Sequence, residues 1–219
     1  MCTTFVEENC KMYFNLFVLW QIIIVLRMIK PSFQIDYEYV LEDESVFAAC
    51  VDNPPGYSNI SGLFDFSDFH TEMLPDGIHV EGKITSTWDV QPTDRVEGHI
   101  SVLHLDRGTW QPTILNLISR DFCKVYLDPK QYWYRGFPKY IINKEEAMEK
   151  CFTNMGTEYV FEPFISKLYF GAGFNVPPGR KRVVITLAAI DLNNATRPNG
   201  ICFELRGEFQ KFKEGMKIE

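Results

Sequence analysis

Residues 78–90 read IHVEGKITSTWDV, a stretch in which apolar and polar side chains alternate. Period-two alternation of this kind predicts a β-strand with one buried face. Pro75, Asp76 and Gly77 stand immediately before it and are typical of a turn, so residues 64–73 are expected to pair with the strand as a hairpin. The predicted inward face comprises Ile78, Val80, Ile84, Trp88 and Val90.

Further strands are predicted along the rest of the chain. Residues 96–105 and 158–170 are rich in β-branched and aromatic side chains, and residues 182–192 contain a long, mostly apolar run typical of a central strand covered on both faces. The last predicted strand alternates again, with Ile201, Phe203, Leu205 and Phe209 inward and Glu204, Arg206, Glu208 and Gln210 outward. Because no helices alternate with these strands, we expect an all-β fold, an antiparallel β-sandwich or cup of six to eight strands.

Residues 119–152 interrupt the strand pattern and predict a short helical insert. Helices are expected over residues 119–126 and 143–152; in the second, Asn143 is the N-cap and Glu146 stands at N3. Its predicted buried side comprises Ala147, Met148, Cys151 and Phe152. Five of the nine residues 132–140 are aromatic. This segment is interpreted either as the mouth of a site for an apolar ligand or as a small subcore packed under the helix.

An apolar segment near the start of the chain, residues 14–25, predicts export. It is too short and too interrupted for a membrane span, so residues 1–33 are interpreted as a signal peptide and residues 34–219 as a single mature domain. An uncleaved anchor and a buried internal helix are the alternatives, because acidic residues precede the apolar run and basic residues follow it. We therefore expect a secreted, extracellular protein without a stable membrane span.

The cysteines also indicate an oxidising compartment. Four of them lie beyond the leader, and none is spaced as CxxC, so disulfides are expected rather than a zinc site. Four cysteines allow three pairings. We favour Cys123–Cys151, which closes the insert, and Cys50–Cys202, which ties the start of the domain to its last strand. Two N-glycosylation sequons are expected on exposed loops, at Asn59 and Asn194.

Composition and motifs weigh against several functional classes. The chain has 22 basic and 29 acidic residues and a net charge of −7, without a basic cluster, so nucleic acid is not an expected partner. No GxSxG, HExxH or P-loop motif is present, and the four histidines are scattered. We expect neither catalysis nor a cofactor or metal site.

Two parts of the predicted domain carry motifs shared with a known family. One comprises LHLDRGTWQPT at residues 103–113, SRDFC at 119–123 and QYWY at 131–134; the other, over residues 193–208, contains NN, RPN, ICFE and GE. In these motifs the chain resembles the insect CheB chemosensory proteins and their CheA relatives, over roughly residues 37–212. That family is in turn similar to the ganglioside activator protein, a cup-shaped β-sandwich that holds an acyl chain between its sheets.

The resemblance implies a secreted chemosensory protein that binds a hydrophobic cue, such as a pheromone, cuticular hydrocarbon or lipid, for gustatory or pheromone perception. It also implies a chemosensory receptor or channel as a further partner. The alternative is an extracellular interaction domain with a filled core that modulates a receptor or channel without carrying a ligand. Periodicity does not distinguish a hollow core from a filled one. The residues expected to contact a ligand are Trp88, Trp133, Phe137, Phe164, Phe203 and Leu205.

Overall fold

The computed structural model describes residues 18–21 and 35–211 of the chain. Residues 18–21 are helical, and within the two described ranges no helix has the length and apolar character needed to cross a membrane. Apart from those four residues, the predicted signal peptide over residues 1–33 lies outside the described residues.

Residues 35–211 form two antiparallel sheets. The strands are β1 (Ile35–Leu41), β2 (Ala48–Ala49), β3 (Phe64–Asp65), β4 (Phe69–Leu74), β5 (Gly77–Ser86), β6 (Arg95–Asp106), β7 (Thr109–Ser119), β8 (Glu158–Ser166), β9 (Leu168–Ala172), β10 (Arg180–Ile190) and β11 (Ile201–Lys211). Sheet A follows the order β7-β6-β10-β11-β1-β9, with β2 also paired to β11. In sheet B, β3 and β4 both pair with one edge of β5, and β8 pairs with its other edge. The predicted all-β, antiparallel fold class is confirmed.

Strand β5 has the buried face that its alternation predicts, since Ile78, Val80 and Ile84 are all at most 9% exposed. It pairs with β4 as the expected hairpin around the turn at Pro75 and Asp76. The strand ends at Ser86, four residues before the predicted end. The alternation continues past this point in the sequence, but Ser86 already bonds through its backbone to residues 156 and 157.

The described residues contain eleven strands, more than the six to eight expected. The predicted strand over residues 158–170 is in fact two, β8 in sheet B and β9 in sheet A, separated at Lys167. The predicted strand over residues 64–73 is likewise two, β3 and β4, which both pair with β5. Strands β1, β2 and β7 were not predicted at all. Strand β7 contains Pro112 and exposes most of its side chains, which an edge strand tolerates because one side of its backbone has no strand to pair with.

The insert, residues 120–157, joins β7 to β8 and contains one α-helix, α1 (Lys144–Lys150). The predicted helix over residues 119–126 is only a 3-10 turn at Phe122–Lys124. Asn143 stands at the N-cap of α1, but its side chain bonds to β8 instead, accepting from the Val160 amide and donating to the Glu158 carbonyl. The predicted buried side is wrong at Met148, which is 58% exposed.

Both favoured disulfides are present. Cys123 and Cys151, 28 residues apart, close the insert, with their Cα atoms 5.7 Å apart. Cys50 and Cys202, 152 residues apart, join the segment after β2 to strand β11, with a Cα separation of 5.8 Å. Both sequon asparagines are exposed, and glycosylation of Asn59 and Asn194 stays a prediction.

The outer face of β11 carries a buried charge cluster that the alternation did not predict. Glu204 faces outward as expected, yet it is only 1% exposed. The Arg206 guanidinium lies 2.7 Å from its carboxylate and that of Arg182 3.6 Å from it, while the Val51 amide donates to it from 3.4 Å. Arg182 in turn lies over the Trp110 ring. Glu204 therefore faces outward from the sheet without contacting solvent, because neighbouring side chains and the segment after β2 cover it.

Candidate functional site

A cavity of about 500 Å³ lies between sheets A and B and the insert. Ligand sites of proteins fall in the range of about 300–1,000 Å³, so its size is that of a small-molecule site. Almost all of its lining side chains are aromatic or aliphatic, and no charged residue lines it among the described residues.

Three central strands of sheet A form the floor of the cavity. Register places Ile185 of β10 opposite Ile100 of β6 on one side and Phe203 of β11 on the other. Two residues earlier in β10, Val183 lies opposite Val102 of β6 and Leu205 of β11 in the same way. All six line the cavity. Because side chains two residues apart share a face of a strand, this floor follows directly from the alternation in β6, β10 and β11.

Sheet B and the insert supply the facing wall, which is mostly aromatic. From sheet B come Phe64, Phe69, Ile84, Tyr159 and Phe161, and from the insert Phe122, Tyr126, Trp133, Phe137 and Phe152. Several of these rings contact one another; the Phe152 ring, for example, lies 4.8 Å from that of Tyr126 and 5.7 Å from that of Tyr159. This wall is therefore a group of aromatic rings that pack against one another.

The cavity is open to solvent, as the exposure of four of its lining residues indicates. Ile114 and Leu117 of β7 are 79% and 38% exposed, Tyr132 of the insert is 56% exposed, and Phe174 after β9 is 38% exposed. All four side chains are large and apolar or amphipathic. The mouth is thus rimmed by apolar surface.

Four of the six residues expected to contact a ligand line this cavity, namely Trp133, Phe137, Phe203 and Leu205. Trp88 and Phe164 are not among its described lining residues. Trp88 is 1% exposed, lies beyond the end of β5, and donates its indole N–H to the Asn199 carbonyl at 2.7 Å. Phe164 stacks on Tyr140 at 3.8 Å between ring centroids and packs behind Phe137. Both are inward-facing, but they are core residues behind the cavity wall.

The aromatic segment 132–140 is packed against the rest of the insert and also lines the cavity. Trp133 packs against Phe122 at 5.1 Å and donates its indole N–H to the Tyr126 carbonyl, so it is part of a subcore. Trp133, Phe137, Pro138 and the exposed Tyr132 also line the cavity. The segment is a packed wall that reaches the mouth.

Polar side chains in the cavity wall differ in their hydrogen bonding. Tyr39 contacts the Lys181 and Leu205 carbonyls through its hydroxyl, and Asn116 donates to the Thr113 carbonyl. The hydroxyls of Tyr126 and Tyr159, by contrast, have no hydrogen-bond partner among the described residues, although both side chains are at most 2% exposed. Burial raises the pKa of both phenols, so each stays protonated at neutral pH. A buried hydroxyl without a partner typically costs about 1–3 kcal/mol.

Several residues that line the cavity were not predicted from the sequence. Tyr39 and Phe170 lie on β1 and β9, which were not recognised as separate strands, and Tyr126 lies in an irregular part of the insert. Ile100 and Ile185 were recognised as inward-facing, but nothing in their alternation distinguishes a residue beside a cavity from one in a filled core. Comparison with models of known protein families finds none that matches this chain, and comparison with curated proteins finds no match either.

Proposed function

We propose that this protein is a secreted binding protein that holds a hydrophobic small molecule or lipid in the cavity between its sheets, without catalysing a reaction. The observation that carries the proposal is the cavity itself, about 500 Å³ in volume, with no charged side chain among its described lining residues. A site of this size and polarity favours ligands that are poorly soluble in water.

Binding would be driven by transfer of apolar ligand surface out of water, worth about 25 cal/mol per Å² before the costs of association. The floor is made of hydrogen-bonded strands, and the insert that supplies part of the wall is cross-linked by the Cys123–Cys151 disulfide. Little ordering of the protein is then required on binding, which favours affinity.

The resemblance to the CheB and CheA proteins supports a more specific role. On that basis the ligand is a chemosensory cue for gustatory or pheromone perception, carried to a receptor or channel. The two disulfides are compatible with an extracellular location. The cavity weighs against the alternative of an interaction domain with a filled core, although both roles allow contact with a receptor.

Photocrosslinking tests the proposal and locates the ligand. The full chain is expressed in a secretory host, incubated with a methyl ester of a fatty acid that carries a diazirine on its chain, irradiated and digested. We expect the label on peptides of β6, β10 and β11 that carry the floor residues and on the insert, and we expect unlabelled ester to suppress it.

A matched pair of positions provides the control. Ile114 and Ile118 lie on the same strand and are 79% and 76% exposed, but only Ile114 lines this cavity. Label at Ile114 and not at Ile118 supports entry through the mouth. Label spread over the outer faces of both sheets, unaffected by competitor, would exclude the cavity as the binding site.

A further inference from the structure

Part of the insert is positively charged, although the protein as a whole is acidic. Residues 129–144, named here the cationic segment, contain four basic residues and no acidic one, namely Lys130, Arg135, Lys139 and Lys144. Taking these four charges from the total of −7 leaves −11 for the rest of the chain. The four are interspersed with aromatic residues and form no contiguous basic run, but they concentrate positive charge in one short segment.

Backbone hydrogen bonds fold the cationic segment into successive turns around Tyr134. The Tyr134 amide donates to the Gln131 carbonyl at 3.2 Å, and the Lys139 amide donates to the Tyr134 carbonyl at 2.8 Å. The Lys144 ammonium lies over the Tyr134 ring, 5.8 Å from its centroid. Because Arg135 follows directly in the chain, three of the four basic residues adjoin this one tyrosine.

The positive charge of the segment is not neutralised within the fold. The ion pairs of the insert involve Lys124 and Lys150, which lie outside the segment, and no carboxylate of the described residues forms an ion pair with the segment itself. Asp128, just before the segment, accepts from the Lys130 backbone amide at 3.0 Å and not from the ammonium. The first three basic residues are exposed and Lys144 is half-buried. The segment therefore offers unpaired cations to a partner.

The cationic segment is continuous with the mouth of the cavity. Tyr132, between Lys130 and Arg135, lines the cavity and is 56% exposed. Pro138, next to Lys139, lines it as well. A partner that contacts these basic side chains would therefore lie beside the mouth.

The distribution of charge favours a protein over a membrane as that partner. An anionic bilayer presents negative charge across a whole plane, and it would repel any part of the acidic remainder of this chain that came within the screening length of about 8 Å at physiological ionic strength. An acidic patch on a protein is bounded, so it can contact the segment alone. Tyrosine and arginine are enriched at protein interfaces, and Tyr132 and Arg135 supply both here.

We propose that the cationic segment docks onto an acidic surface of a protein partner and so turns the mouth of the cavity toward that partner. The inference rests on the proposed function and deepens it, since it assigns the contact beside which a bound apolar molecule would be passed on. The charge distribution also steers the approach, because the partner attracts the segment and repels the rest of the chain.

Binding of an acidic peptide tests the inference. A fluorescein-labelled oligoglutamate is the probe, and its fluorescence anisotropy is measured with the full chain secreted from insect cells, at low and at physiological ionic strength. We expect binding that weakens as salt is added, because exposed charge pairs are screened. Absence of binding at low ionic strength overturns the inference. Vesicles containing phosphatidylserine are the second probe; if they bind the protein and the peptide does not, the partner is a membrane and the inference is overturned.

Arg135→Glu and Arg107→Glu form a matched pair of variants. Both arginines are exposed and both substitutions change the net charge by the same amount, but Arg107 lies in the turn between β6 and β7, outside the segment. We expect peptide affinity to fall about fivefold in Arg135→Glu, since an attractive pair becomes a repulsive one, and less than about twofold in Arg107→Glu. Equal losses would show a response to net charge alone and overturn the inference.

Acetylation of lysines, followed by mass spectrometry, locates the bound peptide. We expect the peptide to slow acetylation of Lys130 and Lys139 and to leave that of Lys83, on β5, unchanged. Equal protection of all three overturns the inference. The neutral fluorophore N-phenyl-naphthylamine reports separately on the cavity. If the fluorophore does not bind while the peptide does, the proposed function fails and the docking surface stands, so the two failures are distinguishable.

Discussion

At the scale of single residues, Glu204 is the buried charge on which the outer face of sheet A depends. Its carboxylate lies between the guanidinium groups of Arg182 and Arg206, and Arg182 is itself only 2% exposed. Removing Glu204 would leave the buried Arg182 guanidinium with only the exposed Asp52 carboxylate, 3.2 Å away, as an ionic partner among the described residues. We expect Glu204→Ala to lower the free energy of unfolding by about 3–5 kcal/mol.

Urea unfolding followed by fluorescence measures this loss. Gln210→Ala is the control, since Gln210 is exposed on the same strand, and it should change stability by less than about 0.5 kcal/mol. Equal effects of the two substitutions would mean that the charge cluster contributes nothing specific.

The Asp94–Arg197 pair predicts a pH dependence of stability. Arg197 donates from Nε and Nη2 to the two carboxylate oxygens, each at 3.0 Å, and these hydrogen bonds hold the pKa of Asp94 below its ordinary value of 3.8. A carboxyl whose pKa is lowered by folding stabilises the protein above its unfolded pKa. That stabilisation is lost as the pH falls from about 4 through the folded pKa.

The difference in unfolding free energy between the unaltered protein and Asp94→Asn should therefore shrink as the pH is lowered from 6 toward 2. Because other carboxyls titrate in the same range, the comparison is made against Asp89→Asn, an exposed neighbour. A difference that stays constant with pH would show that the Asp94 carboxylate does not stabilise the fold.

At the scale of the element, the bulge in β5 depends on Gly82. Register between β5 and β8 shifts between Val80 and Gly82, where Gly82 has φ of +100°. A Cβ at this position would collide with the backbone carbonyl of Asp68. We expect Gly82→Ala to destabilise the protein by more than about 2 kcal/mol, measured by urea unfolding.

Gly108→Ala separates backbone strain from collision. Gly108 also has a positive φ, +83°, but a Cβ there has no heavy atom within 4 Å among the described residues. Only the conformational cost applies, so the loss should be about 1–2 kcal/mol. If Gly82→Ala lowers the free energy of unfolding no more than Gly108→Ala does, the close approach of Asp68 does not add to the cost of a side chain at position 82.

The insert should depend on the Cys123–Cys151 disulfide for its order. On the chain-entropy model, removing a cross-link that spans 28 residues costs up to about 3.5 kcal/mol. In the double variant Cys123→Ala, Cys151→Ala we expect rapid tryptic cleavage at the exposed Lys130, Arg135 and Lys139, identified by mass spectrometry. The unaltered protein is the control. If the variant resists trypsin as well as the unaltered protein does, packing alone keeps the insert ordered.

How far the elements follow from sequence depends on local regularity. Strands with clear alternation or an apolar run, such as β5, β10 and β11, were predicted with ends correct to within a few residues. Strand β7 was missed because it exposes apolar side chains and contains Pro112, and β8 and β9 were merged because a single residue, Lys167, separates them. The exposure of β7 and the separation of β8 from β9 depend on which sheet each strand joins and at which edge. That pairing is made by residues distant in sequence.

The residues that line the cavity could also be predicted from the sequence only in part. Phe203 and Leu205 were found because alternation identifies an inward face, and Trp133 and Phe137 because aromatic residues cluster in the insert. Trp88 and Phe164 satisfy the same criteria yet lie behind the wall. Whether the space between two inward faces is filled depends on the separation of the sheets, which no local pattern encodes.

At the scale of the whole molecule, an aromatic wall, an apolar floor and exposed apolar residues surround one cavity. Protein cores are otherwise close-packed, and a large space between sheets forfeits contacts that a filled core would make. A bound apolar ligand would restore those contacts. The cavity between the sheets is therefore the feature of the fold on which the proposed function depends.

Native mass spectrometry of the full chain secreted from insect cells, followed by organic extraction, tests this link most directly. We expect a species heavier than the protein by one apolar molecule, near one-to-one stoichiometry, with that molecule recovered in the extract. A mass of protein alone, unchanged after incubation with methyl palmitate or n-heptadecane, would contradict the account.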